Sequence, residues 1–164
     1  MNKFSISLFI PILFLVFSSC KTTQSSSVTA SEEIPFFTFY TLDSQRFTKE
    51  DFDTERIKLI LYFNSECEHC EKQAKWISKD IEQFKNLEMV FVSYEEMTAI
   101  RNFRDLHNFT QKNITFLQDS RLTFSDKFGV ETFPSVLIYD KKGKLIQKFE
   151  GETKIDILLE YINQ

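Results

Sequence analysis

Apolar positions along the chain recur with two periods, and the switches between them divide it into alternating strands and helices. Residues 57–63 (Ile-Lys-Leu-Ile-Leu-Tyr-Phe) form an apolar run bounded by polar residues, the pattern of a buried strand. From Glu68 the period lengthens: Cys70, Ala74, Ile77, Ile81 and Phe84 recur at helical spacing. The spacing predicts further strands over 87–94, 114–117 and 135–139. The last is joined by the turn Asp140-Lys141-Lys142-Gly143 to a hairpin partner over 145–149. Helices are predicted over 97–109, with Met97, Ile100, Phe103 and Leu106 or His107 on one stripe, and over 122–128, stopped by Gly129. A last helix presents Ile155, Leu158, Leu159 and Ile162. Ahead of the first buried strand, 34–40 and 42–47 read as short extended pieces. Thr48 with Asp51 forms a capping-box pattern for a short helix, and Thr153 with Asp156 forms another.

The first 33 residues follow neither period. Lys3 precedes an apolar stretch over 4–17, too short for a membrane span of roughly 20 residues. Ser18-Ser19-Cys20 follows and resembles the lipobox of bacterial lipoproteins, in which a peptidase cuts before the cysteine and the cysteine carries the lipid. On that basis 1–19 is a signal peptide and Cys20 is lipidated. The plain alternatives are an uncleaved anchor or a secretory signal with an incidental cysteine. Residues 20–33, polar and rich in Ser and Thr, read as a flexible tether. The folded domain is expected over 34–164.

Composition narrows the class. The full chain has 164 residues, enough for one domain with a sizeable core, and is 42% hydrophobic, which excludes a disordered protein. Nineteen phenylalanines against three glycines imply a core filled by large rings. The net charge of −4, with both signs interspersed, lacks the clustered basic face of a nucleic-acid binder.

Cys67-Glu68-His69-Cys70 falls between a predicted strand and a predicted helix, and a CxxC in that place reads as a thioredoxin-like redox motif. A thiolate is the attacking species, and the free N–H groups and partial positive charge at a helix N-terminus stabilise it. Cys67, at the first turn, is the expected nucleophile. Cys70, further in, is expected to resolve the mixed disulfide. The pair is then its own redox group, with no cofactor expected. No metal is expected either: haem attachment needs His directly after the second cysteine, where Glu71 stands, and a closed zinc site needs four ligands.

The CxxC, the stretch Gly129-Val130-Glu131-Thr132-Phe133-Pro134 leading into an apolar strand, and the hairpin around Lys142-Gly143-Lys144 together resemble the thioredoxin-like superfamily. The N-terminal extension and the extra strand and helix after the CxxC helix are more similar to its membrane-anchored TlpA-like and redoxin members. The resemblance covers nearly the whole chain after the tether. It implies an α/β fold with a central mixed sheet flanked by helices, and a thiol–disulfide oxidoreductase acting on protein thiols and disulfides, with a membrane electron-transfer partner. It also implies a cis bond at Pro134, against the cysteine pair, with the backbone of Phe133 meeting the substrate chain.

Some positions depart from the family. Leu61 stands where thioredoxin buries an aspartate, Gln73 where some TlpA-like proteins carry a glutamate, and Glu66 where tryptophan is common. The proton relay for Cys70 is thereby open to Glu66, Glu68 or a water. His69 resembles oxidising members, since an imidazole can stabilise the Cys67 thiolate. Glu66 and Glu68 oppose it by repelling that thiolate. His69 as a solvated helix-start residue is the plain alternative, and His107 reads as structural or surface. The resemblance to TlpA-like proteins favours net reduction of substrates. The competing functions are a periplasmic disulfide oxidant or isomerase, a peroxiredoxin-like peroxidase, for which Asn64 stands where a Thr is needed, and a copper-handling protein.

Overall fold

The computed structural model describes residues 31–163, so the readings of Cys20, of the signal peptide and of most of the tether lie outside the described residues. Seven strands form one mixed sheet: β1 (Thr38–Thr41), β2 (Arg46–Thr48), β3 (Lys58–Tyr62), β4 (Glu88–Ser93), β5 (Ile114–Gln118), β6 (Ser135–Tyr139) and β7 (Leu145–Glu150), in the order β2-β1-β5-β4-β3-β6-β7. β3, β4 and β5 run parallel, and every other pairing is antiparallel. The helices are α1 (Glu68–Lys79), α2 (Met97–Leu106), α3 (Phe124–Phe128) and α4 (Ile155–Ile162). The strand and helix inserted after α1 are β4 and α2, as the TlpA-like resemblance implied.

The continuous apolar runs of the central strands follow from burial on both faces. Side chains alternate, so Leu59, Leu61, Met89, Phe91, Val136 and Ile138 point to one layer. Ile60, Tyr62, Val90, Val92, Leu137 and Tyr139 point to the other. The first layer packs under α1, α2 and α4. The second packs under α3 and the incoming segment around Ile34 and Phe37. Rings fill both: Phe124 stacks on Phe128 at 4.1 Å and on Tyr62 at 4.3 Å, and Phe63 on Phe103 at 4.3 Å. Such pairs contribute about 0.5–1.5 kcal/mol each beyond the area they bury.

The structure corrects several local expectations. The helix expected to reach residue 109 ends at Leu106, because Asn108 adopts a left-handed φ of 55° and Phe109 N–H turns back to the Arg104 carbonyl. Of the two candidates for its stripe, His107 is buried and Leu106 exposed. The helix expected from 122 starts at Phe124. Leu122 is left-handed, and the buried Asp119 carboxylate accepts from Phe124 N–H (2.7 Å) and Thr123 Oγ1 (3.2 Å). Gly129, at φ 64°, ends it as read. Thr48 and Asp51 do cap a short 3-10 turn over Lys49–Asp51, with Asp51 Oδ2 accepting from Thr48 N–H at 2.7 Å. The Thr153–Asp156 box does not form. Lys154 holds the N-cap of α4, and the Thr153 N–H is drawn instead to Gln73 Oε1 at 2.6 Å.

Candidate active site

The site lies at the carboxyl end of β3, where the chain turns from a buried strand into α1. Asn64 shapes the turn: its Oδ1 accepts from Glu66 N–H (2.9 Å), its carbonyl accepts from Cys67 N–H (3.2 Å), and its Nδ2 donates to Tyr94 Oη (3.1 Å). Cys67 is the N-cap of α1, with extended backbone, and its carbonyl accepts from both Cys70 N–H (2.9 Å) and Glu71 N–H (3.0 Å). The CxxC is therefore wound into the first helical turn. Winding separates the two sulfurs in environment: Cys67 is partly exposed, and Cys70 is 0% exposed, facing the first layer beside Ala74 and Ile77. Both are free thiols.

Burial pushes the Cys70 thiol well above its ordinary range. A backbone hydrogen bond with Asn64 pulls the other way, and the neighbouring Cys67 sulfur and the charge of Glu95 add smaller upward pushes. The Phe133–Pro134 bond is cis, and the loop it shapes sits against the pair, with the Phe133 carbonyl 3.8 Å from Cys67 Sγ. Pro134 is buried, and Phe133, half-buried, touches both layers.

Glu66 and Glu68 are exposed on the rim. His69 turns its imidazole toward the loop between β7 and α4, where Nδ1 lies 3.0 Å from Glu152 Oε2. Lys72 Nζ meets the other oxygen of Glu152 at 2.5 Å, and these two partners, Lys72 foremost, hold that carboxyl below its usual range. Leu61 and Gln73, the two positions where the resemblance anticipates an acid, are fully buried. Gln73 Oε1 serves Thr153, and its Nε2 has no partner. His107 is remote from the cysteines in sequence but packs on the same helix, with Nε2 3.3 Å from Glu71 Oε2. Among the described residues, no group of three or more His, Cys, Asp or Glu side chains gathers where a metal ion could be held.

Three residues join the site without having been singled out from the sequence, Tyr94, Glu95 and Glu152, and Asn64, weighed there only against a peroxidase's Thr, proves to shape the turn. Glu95 lies under the turn before the CxxC, accepting from Ser65 N–H (2.7 Å), Ser65 Oγ (2.6 Å) and Ser93 Oγ (2.9 Å). The parallel pairing of β3 with β4 places these two strand ends side by side. The one usable sequence signal was Asn64 itself, two residues before Glu66, the spacing of an Asx turn.

A dithiol of one exposed and one buried sulfur, at a helix start and against a cis-proline loop, on this sheet order, defines a thioredoxin-like thiol–disulfide oxidoreductase. The AhpC/TSA family model matches residues 30–148, and the chain belongs to that family. Among curated relatives, the thiol-disulfide oxidoreductase ResA of Bacillus thuringiensis subsp. konkukian (strain 97-27) is 22% identical over 145 residues, 87% of this chain and 82% of that protein. Among solved structures, MTB dsbF superposes with a TM-score of 0.69 at 20% identity, covering 82% of this chain and 98% of that one. A secreted Mycobacterium tuberculosis disulfide oxidoreductase homologous to E. coli DsbE gives 0.65 at 18% identity, covering 77% and 94%.

Proposed function

We propose that the chain is a membrane-anchored disulfide reductase of the bacterial cell envelope, facing the periplasm, that exchanges its Cys67–Cys70 dithiol with disulfides of protein substrates. The observation that carries the reading is the asymmetry of the pair: Cys67 partly exposed at the N-cap of α1 and near the Phe133 carbonyl, Cys70 with no exposure at all. Cys67 attacks one sulfur of a substrate disulfide. The substrate S–S bond breaks, a Cys67–substrate disulfide forms, and the first substrate thiolate leaves and takes a proton. Cys70 then loses its proton and attacks Cys67 Sγ, closing the internal disulfide and releasing the second substrate thiolate. The substrate gains two electrons and two protons. A thiol-bearing membrane electron-transfer partner returns two electrons to the pair.

Charge around the site supports the reducing direction. The cation that His69 carries when protonated is answered by Glu152 rather than left to a Cys67 thiolate, while Glu66 and Glu68 stand exposed nearby. A reduction potential measured against glutathione or dithiothreitol tests this. A value near about −270 mV is expected, and one near about −120 mV would make the protein an oxidant. The two sulfurs are the whole redox group, so chelator-treated, dialysed protein keeps its full turnover. The family match supports a second reading, a peroxidase. Turnover of hydrogen peroxide faster than that of protein disulfides would favour it.

The anchor is the lipid on Cys20, after removal of 1–19, with 20–33 as the tether; the motivation is Ser18-Ser19-Cys20 at the end of a short apolar stretch. Mass spectrometry of the mature N-terminus decides it: a diacylglyceryl-modified Cys20 supports the reading, and a chain starting elsewhere contradicts it.

A further inference from the structure

Tyr94 follows directly on β4 and is 38% exposed, in contrast to the buried residues before it. Its ring centroid lies 5.9 Å from that of Phe133, which lies 4.6 Å from that of Tyr62. The three rings form a row that rises from the second layer to the surface, and its middle residue, Phe133, sets its carbonyl 3.8 Å from Cys67 Sγ. The outer end of the row is held in place by the hydrogen bond from Asn64 Nδ2 to Tyr94 Oη, and Asn64 also carries the turn into the CxxC. A large ring tied to the turn before Cys67, left partly in water and packed on the residue whose carbonyl meets that sulfur, is suited to receive a side chain from whatever reacts there. The surround is acidic. Glu66, Glu68 and Glu131 are exposed, and none of them makes an ion pair among the described residues.

We propose that Tyr94 and Phe133 form an aromatic ledge that selects the substrate: an extended polypeptide segment with its reactive half-cystine at Cys67, an aromatic or large aliphatic side chain next to that cysteine on the ledge, and Lys or Arg close by, facing the acidic rim. This rests on the reductase reading and names the substrate class for it. Continuity with the Cys67–Phe133 contact commits the ledge to the reacting chain. The glutamates set the sign of the charge that chain carries.

The test uses short synthetic peptides, each with one cysteine held as a mixed disulfide with glutathione, in four versions. The neighbour of the cysteine is Phe or Ser, and the flanking charge is Lys or Glu. The reduced protein is expected to reduce the Phe peptides about fivefold faster than the Ser peptides. It should also prefer Lys over Glu flanks by a margin that shrinks as salt is added. Tyr94→Ala should bring the Phe-to-Ser ratio to about one, while Tyr94→Phe, which keeps the ring and loses the bond to Asn64, should retain it. Tyr94→Leu, which keeps apolar bulk in case the alanine variant folds poorly, should retain part of it. An unchanged ratio in Tyr94→Ala, or reduction of all four peptides at one rate by the parent protein, overturns the ledge and leaves the reductase reading standing. Failure to reduce any of the peptides, and glutathione disulfide as well, overturns both.

Discussion

Under α3, the buried side chains on the sheet are largely rings and branched aliphatics: Phe39, Phe124 and Phe128 pack with Tyr62, Val92 and Leu137. The buried carboxylate there, Asp119, is taken up in capping α3. Under α1, α2 and α4 the same kind of packing is interrupted by Cys70, Gln73 and His107, each buried and each carrying a group that water would otherwise solvate. Both faces are equally closed to solvent, so burial alone does not distinguish them. What differs is the consequence. On the α3 face burial supplies packing energy, raises the phenols of Tyr62 and Tyr139 and leaves Tyr139 Oη without a hydrogen-bond partner, with no thiol among these groups. On the α1 face it also raises the thiol of Cys70, leaves an amide nitrogen of Gln73 unpartnered and lowers the proton affinity of His107. The cis-proline loop touches both layers through Phe133, which puts the redox pair at the border between packing and chemistry.

That contrast can be broken by experiment. The largest effect belongs to the chemical face. Because burial holds the Cys70 thiol far up, its thiolate fraction does not saturate in the neutral range. The resolving step, followed by stopped-flow from a Cys67 mixed disulfide, should accelerate about tenfold per pH unit between roughly pH 6 and 9. A plateau in that range would mean that burial does not control the step. On the packing face, Phe124→Ala removes a fully buried ring stacked between Tyr62 and Phe128 and should cost about 3–5 kcal/mol in denaturant unfolding. The reduction potential of the folded variant should stay that of the parent.

Smaller effects test the polar groups of the α1 face. Gln73→Ala takes the acceptor from the buried Thr153 N–H and should cost about 1–3 kcal/mol, read by the same denaturation. The smallest expected effect is that of His107. Its pKa is lowered, chiefly by burial, with the Glu71 carboxylate working in the opposite direction. The folded state then binds fewer protons than the unfolded chain. The contribution to stability is complete above the ordinary histidine value of about 6.5 and is lost as the pH falls through the lower, folded value. Thermal melts should show a decline below about pH 6.5 that His107→Gln makes shallower.

The frame of the molecule was legible because local period and burial agree. Residues 57–63 read as a buried strand because both faces of β3 are covered, and the spacing from Cys70 to Ile77 is that of one buried helical face. The exposed first sulfur, the buried second sulfur and the cis-proline loop followed from the CxxC and the Phe133-Pro134 stretch taken together. What could not be read depends on contacts between distant segments. Glu95 and Tyr94 enter the site only because β3 and β4 pair in parallel and end together. Glu152 meets His69 across more than eighty residues of chain. The Thr153 box had the right residue types, but a tertiary acceptor, Gln73, outcompeted the local cap. His69 shows the same limit. Its position between the cysteines suggested a partner for the thiolate, and the fold gives its imidazole to a carboxylate instead.

The central claim, that Cys67 attacks and Cys70 resolves, is tested most directly by trapping. Cys70→Ser and Cys67→Ser variants, each retaining one active-site sulfur, are incubated with a disulfide-bonded protein, quenched with alkylating agent and resolved without reductant. Cys70→Ser should accumulate a mixed disulfide through Cys67, and Cys67→Ser should accumulate almost none, because its remaining sulfur is fully buried and its thiol is pushed up by that burial. Equal trapping by the two variants, or trapping through Cys70 alone, would contradict the assignment.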